Sequence, residues 1–343
     1  MKKILYPAIM ALLLLCAYAA WVLFGPATKF SDKNHYIYIE DASNIRQQVL
    51  DQLKEQKLVR DVWAFTIVAD RMNVWDKVKP GRFEVLKGQN LVRIARTLRN
   101  NKQAPAKLVI NKLRLREDFA RLIGKNFKTD SIAAFAFLNS NDSLQQFGVD
   151  TNTVMTLIIP DTYLFNWNTP MNKLLTRLKA ESDNFWNKND RKQKAANLGL
   201  TPEQVYTVAS IVEEETNYNP EKGNIASVYL NRVAKGMALG ADPTIKFALK
   251  DFTLKRIYYG HLAVVSPYNT YKNKGLPPGP ICTPSTVTLD AVLNAPKTDY
   301  LFFVASSEFN GTHHFSSTFA EHDQYAKEYQ KALDERMRQK QNQ

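Results

Sequence analysis

Three consecutive glutamates, Glu213 to Glu215, end a segment whose apolar residues recur at helical spacing. Those apolar residues are Val205, Val208, Ala209 and Val212. They fall on one face of a helix, so Glu214 points away from that face into solvent while Glu213 and Glu215 lie on its two edges. A carboxyl group at such an edge is partly desolvated, which raises its pKa by disfavouring the charged form. It can then carry a proton near neutral pH and donate it in acid–base catalysis. Helical geometry leaves Glu213 and Glu215 equivalent for this task.

The start of this helix is also marked in the sequence. Thr201 suits the N-cap position, Pro202 suits the first helical position, and Gln204 completes a capping box. The sequence therefore predicts a helix from about residue 202 to the glutamates.

Polar residues that could support this chemistry follow downstream. Asn231 and Arg232 interrupt a second apolar helical pattern. Arg232 could hold a substrate carboxylate or form a buried ion pair. Asp242, followed by a proline and Thr244, is predicted to cap a helix start.

Two later segments, residues 266–285 and 312–322, are rich in Asn, Thr, Tyr, Gly and Pro. We predict that they form loops lining a polar, aromatic groove that suits sugars. The side chains that could hydrogen-bond to sugars or stack on their rings are Tyr268, Asn269, Thr270 and Tyr271.

Composition narrows the class of partner. The 343 residues are 45% hydrophobic and 23% charged, as in a globular protein of two or three domains, and the net charge is +13. The basic residues are scattered and no zinc-finger or RNP-type motif occurs, so we expect no nucleic-acid partner; a membrane surface or an anionic cell-wall polymer fits better. No Cys/His cluster has metal-ligand spacing, so we expect no metal or other cofactor, and Cys16 and Cys282 are expected to stay unpaired.

The N-terminal segment 4–24 carries no charge and is long enough to cross a bilayer as a helix. The lysines before it favour a cytoplasmic tail of residues 1–3 and export of the remainder to the periplasmic or extracytoplasmic side. A cleaved signal peptide would need a shorter apolar run. A lipoprotein signal would use Cys16, but Leu15 stands where a small residue is expected. The prediction is an uncleaved single-pass anchor in the cytoplasmic (inner) membrane.

Residues 35–105 are predicted to form a small α/β module of strands and helices. Within it, residues 78–103 contain a turn, a short strand, a second turn and a helix. This order resembles a LysM-like unit, a fold that holds glycan chains, although a purely structural module is the alternative. In the remainder, residues 174–199 are predicted to form one long amphipathic helix, and residues 321–343 a C-terminal helix that packs and ends in a frayed basic tail.

A series of short motifs carries a more specific resemblance. IVEEET, YLNRV, ADPT, YNTY, GLPPGPI, TPS and THHF occur in this order, preceded by PDTY at 160–163. Over residues 158–325 this series resembles the YceG/MltG family of endolytic murein transglycosylases. The resemblance implies a membrane-anchored enzyme that cleaves the MurNAc–GlcNAc bond within nascent peptidoglycan strands and leaves 1,6-anhydroMurNAc ends. It implies peptidoglycan as substrate, and peptidoglycan synthases as possible protein partners.

The resemblance also distinguishes the glutamates. Residues 215–220 resemble the Glu-Ser-x-Phe-x-Pro pattern of other lytic transglycosylases, in which that glutamate is catalytic, so Glu215 is assigned as acid and then base, with Glu213 in support. His313 matches the family's histidine and could orient the substrate or the catalytic carboxyl. A second carboxylate, which ordinary glycosidases need, could come only from Asp242, whose predicted role is structural.

The sequence thus predicts an α+β protein with a transmembrane helix, a LysM-like module over 35–105 and a catalytic domain over 106–343 that is mainly helical, with strands in its later half. Two alternatives to the transglycosylase are a non-catalytic glycan-binding or division scaffold and a hydrolytic muramidase.

Overall fold

The computed structural model describes the backbone of residues 2–341 and the side chains in that range except those of residues 2–5, 7, 8, 340 and 341. The helices are α1 (Lys2–Phe24), α2 (Ile45–Glu55), α3 (Val62–Arg71), α4 (Leu91–Arg99), α5 (Arg116–Asn126), α6 (Ser131–Leu138), α7 (Asn141–Leu144), α8 (Met171–Asn187), α9 (Arg191–Asn197), α10 (Pro202–Glu215), α11 (Lys222–Ala234), α12 (Asp242–Leu249), α13 (Thr286–Leu293) and α14 (Phe319–Gln341). The strands are β1 (Asn34–Ile39), β2 (Gly81–Leu86), β3 (Ala106–Val109), β4 (Thr162–Phe165), β5 (Phe302–Ala305) and β6 (His313–Ser316).

Helices dominate and the strands are short. Within residues 2–341 the strands form three two-stranded sheets, which pair β1 with β2, β3 with β4, and β5 with β6. The predicted α+β class is confirmed at this level, including the strands in the later half of the chain.

The chain divides into two units. The first comprises Met1–Leu108, Gly124–Thr129 and Leu164–Pro170, and the second Val109–Ile123, Asp130–Tyr163 and Met171–Gln343. The first unit is built on the antiparallel pair β1–β2, in which Ile37 lies opposite Phe83. Alternate residues of both strands are fully buried, which produces a half-buried sheet covered by helices. The strand and helices predicted between residues 35 and 103 are present.

Helix α1 covers the segment predicted to be a membrane anchor. Among the residues that the structure describes, no helix is long and apolar enough to cross a membrane. The transmembrane helix predicted for residues 4–24 is therefore not supported by the structure.

Helix α10 is the central element of the second unit. Its capping box is formed as predicted: the Thr201 hydroxyl accepts from the Gln204 backbone N–H, and the Gln204 side chain accepts from the Thr201 N–H at 2.9 Å. The predicted apolar face is fully buried, but burial extends around the helix. Tyr206, also fully buried, donates from its hydroxyl to the Ile158 carbonyl at 2.6 Å. The three glutamates lie at the C-terminal end of α10, after this buried stretch.

Two local predictions are wrong, and one nearby helix is confirmed. The helix predicted over 174–199 is divided into α8 and α9, because Asn189 and Asp190 adopt left-handed backbone conformations with φ of 58° and 56°. The second apolar helical pattern is confirmed as α11, and the polar residues Asn231 and Arg232 lie inside this helix. The segment 312–322 is not a simple loop: it contains β6, which pairs antiparallel with β5, and the start of α14.

Candidate active site

Glu215 is the last residue of α10, and its side chain is half-buried. Burial raises the pKa of Glu215 to about 7. The Tyr229 hydroxyl, from the facing helix α11, donates a hydrogen bond to the Glu215 carboxyl and lowers its pKa. The negative charge of Asp242 raises that pKa again, and the positive charges of Lys246 and Arg232 lower it. The net result is a carboxylic acid that is substantially protonated near neutral pH.

Glu213, two residues earlier, has the opposite environment. Burial pushes the pKa of Glu213 upward, but hydrogen bonds and the Lys222 charge outweigh it and leave the pKa below its ordinary value. The Lys222 ammonium lies 3.1 Å from the carboxylate, the Ser285 hydroxyl donates at 3.0 Å, and the Thr288 hydroxyl donates as well. Glu213 is thus a buried, fully partnered anion. The two carboxyl groups that helical geometry left equivalent differ in charge state.

Glu214 does not extend into solvent, contrary to the sequence prediction. Arg114 donates to both of its carboxylate oxygens, at 3.0 and 2.9 Å, and Lys112 lies 3.4 Å away. Lys112 also donates to the Glu213 backbone carbonyl at 3.2 Å. A bidentate arginine pair and a lysine therefore hold the C-terminal end of α10, where cations complement the helix dipole.

Asp242 is not the helix cap that the sequence predicted. The N-cap position of α12 is Ala241, and Asp242 lies in the first turn with no capping hydrogen bond from the helix. Its carboxylate instead accepts a hydrogen bond from the Tyr271 hydroxyl at 2.6 Å. Asp242 is close enough to Glu215 for its charge to raise the Glu215 pKa. The structure thus brings together two carboxyl groups: Glu215, whose pKa is raised, and Asp242, which accepts from a phenol.

Asn231 and Arg232 hold the backbone. The Asn231 amide donates to the Thr298 and Tyr300 carbonyls, at 3.0 and 2.9 Å. Arg232 donates to the Leu301 carbonyl at 2.7 Å and to the Leu239 carbonyl. These bonds are not the buried ion pair that was one of the two predicted roles of Arg232, and the other role, binding of a substrate carboxylate, stays a prediction. Its charge reaches Glu215 only through space.

Thr244, Asn269 and Thr270 are buried and bonded within the protein. The Asn269 amide donates to the Leu262 and Val264 carbonyls, and the Thr270 hydroxyl bonds to Thr244 at 2.8 Å. Asn269 and Thr270, which were predicted to contact sugars, and Thr244 beside them have almost no exposed surface; their bonds instead hold the loop that carries Tyr271. Tyr268 lines a different cavity from Glu215 and packs on Phe247 at a ring-centroid distance of 4.6 Å.

His313 lies in the same cleft as Glu215. The cleft is a cavity of about 620 Å³. Its lining residues are Glu215, Thr216, Asn217, Tyr218, Ala305, Ser306, Phe309, Gly311, Thr312, His313 and Tyr329. The Glu221 carboxylate accepts from the His313 backbone N–H at 2.9 Å and contacts the ring Nδ1 at 2.9 Å. Glu221 therefore fixes both the strand position and the ring orientation of His313.

The structure thus assembles Glu215, Tyr229, Asp242, Tyr271 and His313 around the end of α10. Sequence reasoning missed Tyr229, Lys222 and Glu221. Tyr229 was visible as the first residue of YLNRV, but a tyrosine in an apolar helical pattern is ordinarily a core residue. Lys222 and Glu221 carry no local signal, because their partners are 9 and 92 residues away along the chain.

Comparisons with known proteins agree on one family. The model of the YceG-like family matches residues 37–328. An endolytic murein transglycosylase of Bacillus subtilis (strain 168) is 32% identical over 249 residues, which cover 71% of this chain and 64% of the relative. One of Streptococcus pneumoniae serotype 2 is 25% identical over 335 residues, which cover 89% and 60%. The chain spans less than two thirds of the length of these curated relatives.

A solved structure is also similar. It is the crystal structure of a putative YceG-like protein from Listeria monocytogenes, with 28% identity and a TM-score of 0.55. The match covers 86% of this chain and 99% of that chain.

Proposed function

The chain belongs to the YceG-like family, and from this premise we propose that it is an endolytic lytic transglycosylase acting on peptidoglycan. The observation that carries the proposal is the Glu215 carboxyl, which burial holds at a pKa of about 7 inside an open cleft. The relatives named endolytic murein transglycosylase support it. A proton donor of this kind is what cleavage of a glycosidic bond needs first.

In the proposed reaction Glu215 acts as acid and then as base. Its carboxyl proton goes to the glycosidic oxygen as the bond between that oxygen and the muramic C1 breaks. The muramic C6 hydroxyl oxygen then bonds to C1, and its proton returns to the Glu215 carboxylate. The Tyr229 hydrogen bond stabilises the carboxylate between these two steps. The intramolecular hydroxyl has a high effective concentration, which favours it over water.

A hydrolytic muramidase is the second candidate, and one observation favours it. Asp242 lies near Glu215 and its carboxylate accepts from Tyr271. A second carboxylate could activate a water molecule or serve as nucleophile, as in ordinary glycosidases. The two reactions use the same acid and differ in what reaches C1.

A direct assay separates both enzymes from a non-catalytic glycan-binding or division scaffold. Purified sacculi incubated with the protein should release soluble glycan fragments in proportion to time and protein. A scaffold would bind the sacculi and release nothing.

The pH dependence of the rate follows from the Glu215 pKa. Because the acid must be protonated, kcat/KM should fall as the pH rises through about 7. In Tyr229→Phe the hydrogen bond that lowers this pKa is lost, so the alkaline limb should move to higher pH. The check is a rate–pH profile of both proteins on soluble glycan strands. A limb that stays in place or moves to lower pH would argue against Glu215 as the acid.

The proposal includes a location. The uncharged segment 4–24 is proposed to stay uncleaved and to hold the protein in the cytoplasmic membrane, with the catalytic domain outside and peptidoglycan synthases nearby. Intact-mass measurement should find the original N-terminus, and the protein should sediment with membranes. A mature protein that begins near residue 20 and remains in the supernatant would contradict this part alone.

The two predicted domains have separate proposed tasks. Residues 35–105 are proposed to hold glycan as a LysM-like module, and residues 106–343 to carry out the cleavage.

A further inference from the structure

We propose that the cleft beside Glu215 contains an aromatic sugar-binding subsite formed by Phe309 and Tyr329, with Tyr218 at its edge. This inference rests on the proposed function, because the occupant to which it commits is a pyranose ring of a glycan strand. All three residues line the 620 Å³ cavity that contains Glu215. A cavity of this size lies within the range of ordinary ligand sites.

Phe309 occupies a conformation that a phenylalanine rarely adopts. It lies in the turn between β5 and β6 with φ of 55°, in the left-handed region. The turn is closed by the Ser306 N–H, which donates to the Thr312 carbonyl at 2.8 Å, and by the Phe309 N–H, which donates to the Ser306 carbonyl at 3.1 Å. Backbone strain of this kind concentrates at functional sites. A glycine would fill this position without strain, so the aromatic ring is the feature that needs an explanation.

Tyr329 reaches the cleft from the C-terminal helix α14. One turn earlier, Tyr325 stacks on His314 of β6 at a ring-centroid distance of 4.6 Å and an interplanar angle of 12°. Because residues four apart share a helix face, this stack directs Tyr329 to the same hairpin. Its ring lies 5.6 Å from that of Phe309. Helix α14, predicted from sequence only to pack, therefore supplies part of the cleft wall.

The Phe309 ring is also contacted by a cation. The Arg336 guanidinium carbon lies 4.8 Å from the ring centroid, a favourable cation–π distance. Arg336 and Tyr329 both belong to α14, so one helix holds the ring from two positions.

The chemistry of the wall fits a sugar. A pyranose presents a flat apolar face of C–H groups and a polar edge of hydroxyl and acetamido groups. Aromatic rings supply a large, rigid apolar surface against which the C–H face can pack. The same cavity is bordered by the side chains of Asn217, Thr312 and His313, which can form hydrogen bonds with the hydroxyl and acetamido groups. The sugar held here would be one next to the scissile bond, because Glu215 shares the cavity.

The test measures binding without cleavage. In the full chain carrying Glu215→Gln, affinity for purified uncrosslinked glycan strands is measured by calorimetry, with Tyr329→Ala and Phe309→Gly added singly. Phe309→Gly removes the ring and also relieves the strained φ, and the unfolding transition of each variant is compared with that of the parent so that a loss of folding is recognised. Each change should raise Kd about tenfold. Tyr259→Ala, which removes a 93% exposed tyrosine outside this cavity, is the matched control and should leave Kd unchanged.

The outcomes separate this inference from the proposed function. If both variants bind as tightly as the control, the subsite is wrong, even if the wild-type protein cleaves glycan. If binding weakens as expected while the wild-type protein releases no fragments from sacculi, the subsite stands and the enzymatic proposal fails.

Discussion

Replacing Glu215 with glutamine is expected to lower the rate of glycan cleavage by about 10²–10⁴-fold, the usual contribution of a general acid–base group. Glutamine is nearly isosteric and can still accept the Tyr229 hydrogen bond. It cannot donate a proton or take one back. The measurement is fragment release from sacculi. Glu203→Gln, the same change in the exposed first turn of the same helix, is the control and should retain full activity.

The same variant should be no less stable than the wild type above neutral pH. The folded-state pKa of Glu215, about 7, lies above its ordinary value of 4.5. The native protein therefore binds more protons than the unfolded chain between these values, so wild-type stability falls as the pH rises from 4.5 to about 7. Glutamine removes this loss of stability, which amounts to about 3 kcal/mol at most.

Full cleavage activity in Glu215→Gln would contradict the catalytic role proposed for Glu215.

Replacing Lys222 with methionine is expected to lower the free energy of unfolding by about 3–5 kcal/mol, the cost of leaving one partner of a buried ion pair uncompensated. Lys222 is only 3% exposed, pairs with Glu213 at 3.1 Å and donates to Thr288 at 2.7 Å. Methionine fills a similar volume but leaves the Glu213 charge buried. Urea denaturation at pH 7 measures the loss.

The pH dependence identifies the cause of that loss. In the wild type the pKa of Glu213 is lower in the folded state than its ordinary value of 4.5, and this difference stabilises the fold at pH values above 4.5. The stabilisation is lost as the pH falls through the folded-state pKa. The deficit of Lys222→Met should therefore be largest near neutral pH and shrink in acid, where Glu213 is neutral. Lys327→Met, which breaks an exposed pair with Asp323, should cost less than about 1 kcal/mol. Equal losses in the two variants would contradict a buried, charged Glu213.

Local signals in the sequence were enough to predict the helix α10. The Thr201 cap, the proline after it and the apolar spacing depend only on neighbouring residues, and α10 begins at Pro202 and ends at Glu215 as expected. The opposite pKa shifts of Glu213 and Glu215 were not predictable from the spacing of residues in the sequence. The pKa of Glu213 depends on its contacts with Lys222 and Thr288. The pKa of Glu215 depends on its surroundings, which include Tyr229 and Asp242.

The polar residues Asn269 and Thr270 show a second way in which prediction from the sequence failed. Asn269 and Thr270 were predicted to face a sugar because polar residues rarely build a core. They are buried because an irregular loop leaves backbone groups unpaired, and side-chain amides and hydroxyls satisfy them. Composition does not distinguish a polar residue that binds a ligand from one that holds its own loop.

The mass of the released muramic ends tests the central claim most directly. Purified sacculi are digested with residues 25–343, and the fragments are analysed by mass spectrometry before and after borohydride treatment. If Glu215 directs the C6 hydroxyl to C1, the new ends are one water lighter than hydrolysis products and resist reduction. Ends that carry the extra water and are reduced by borohydride would contradict the transglycosylase and favour the muramidase.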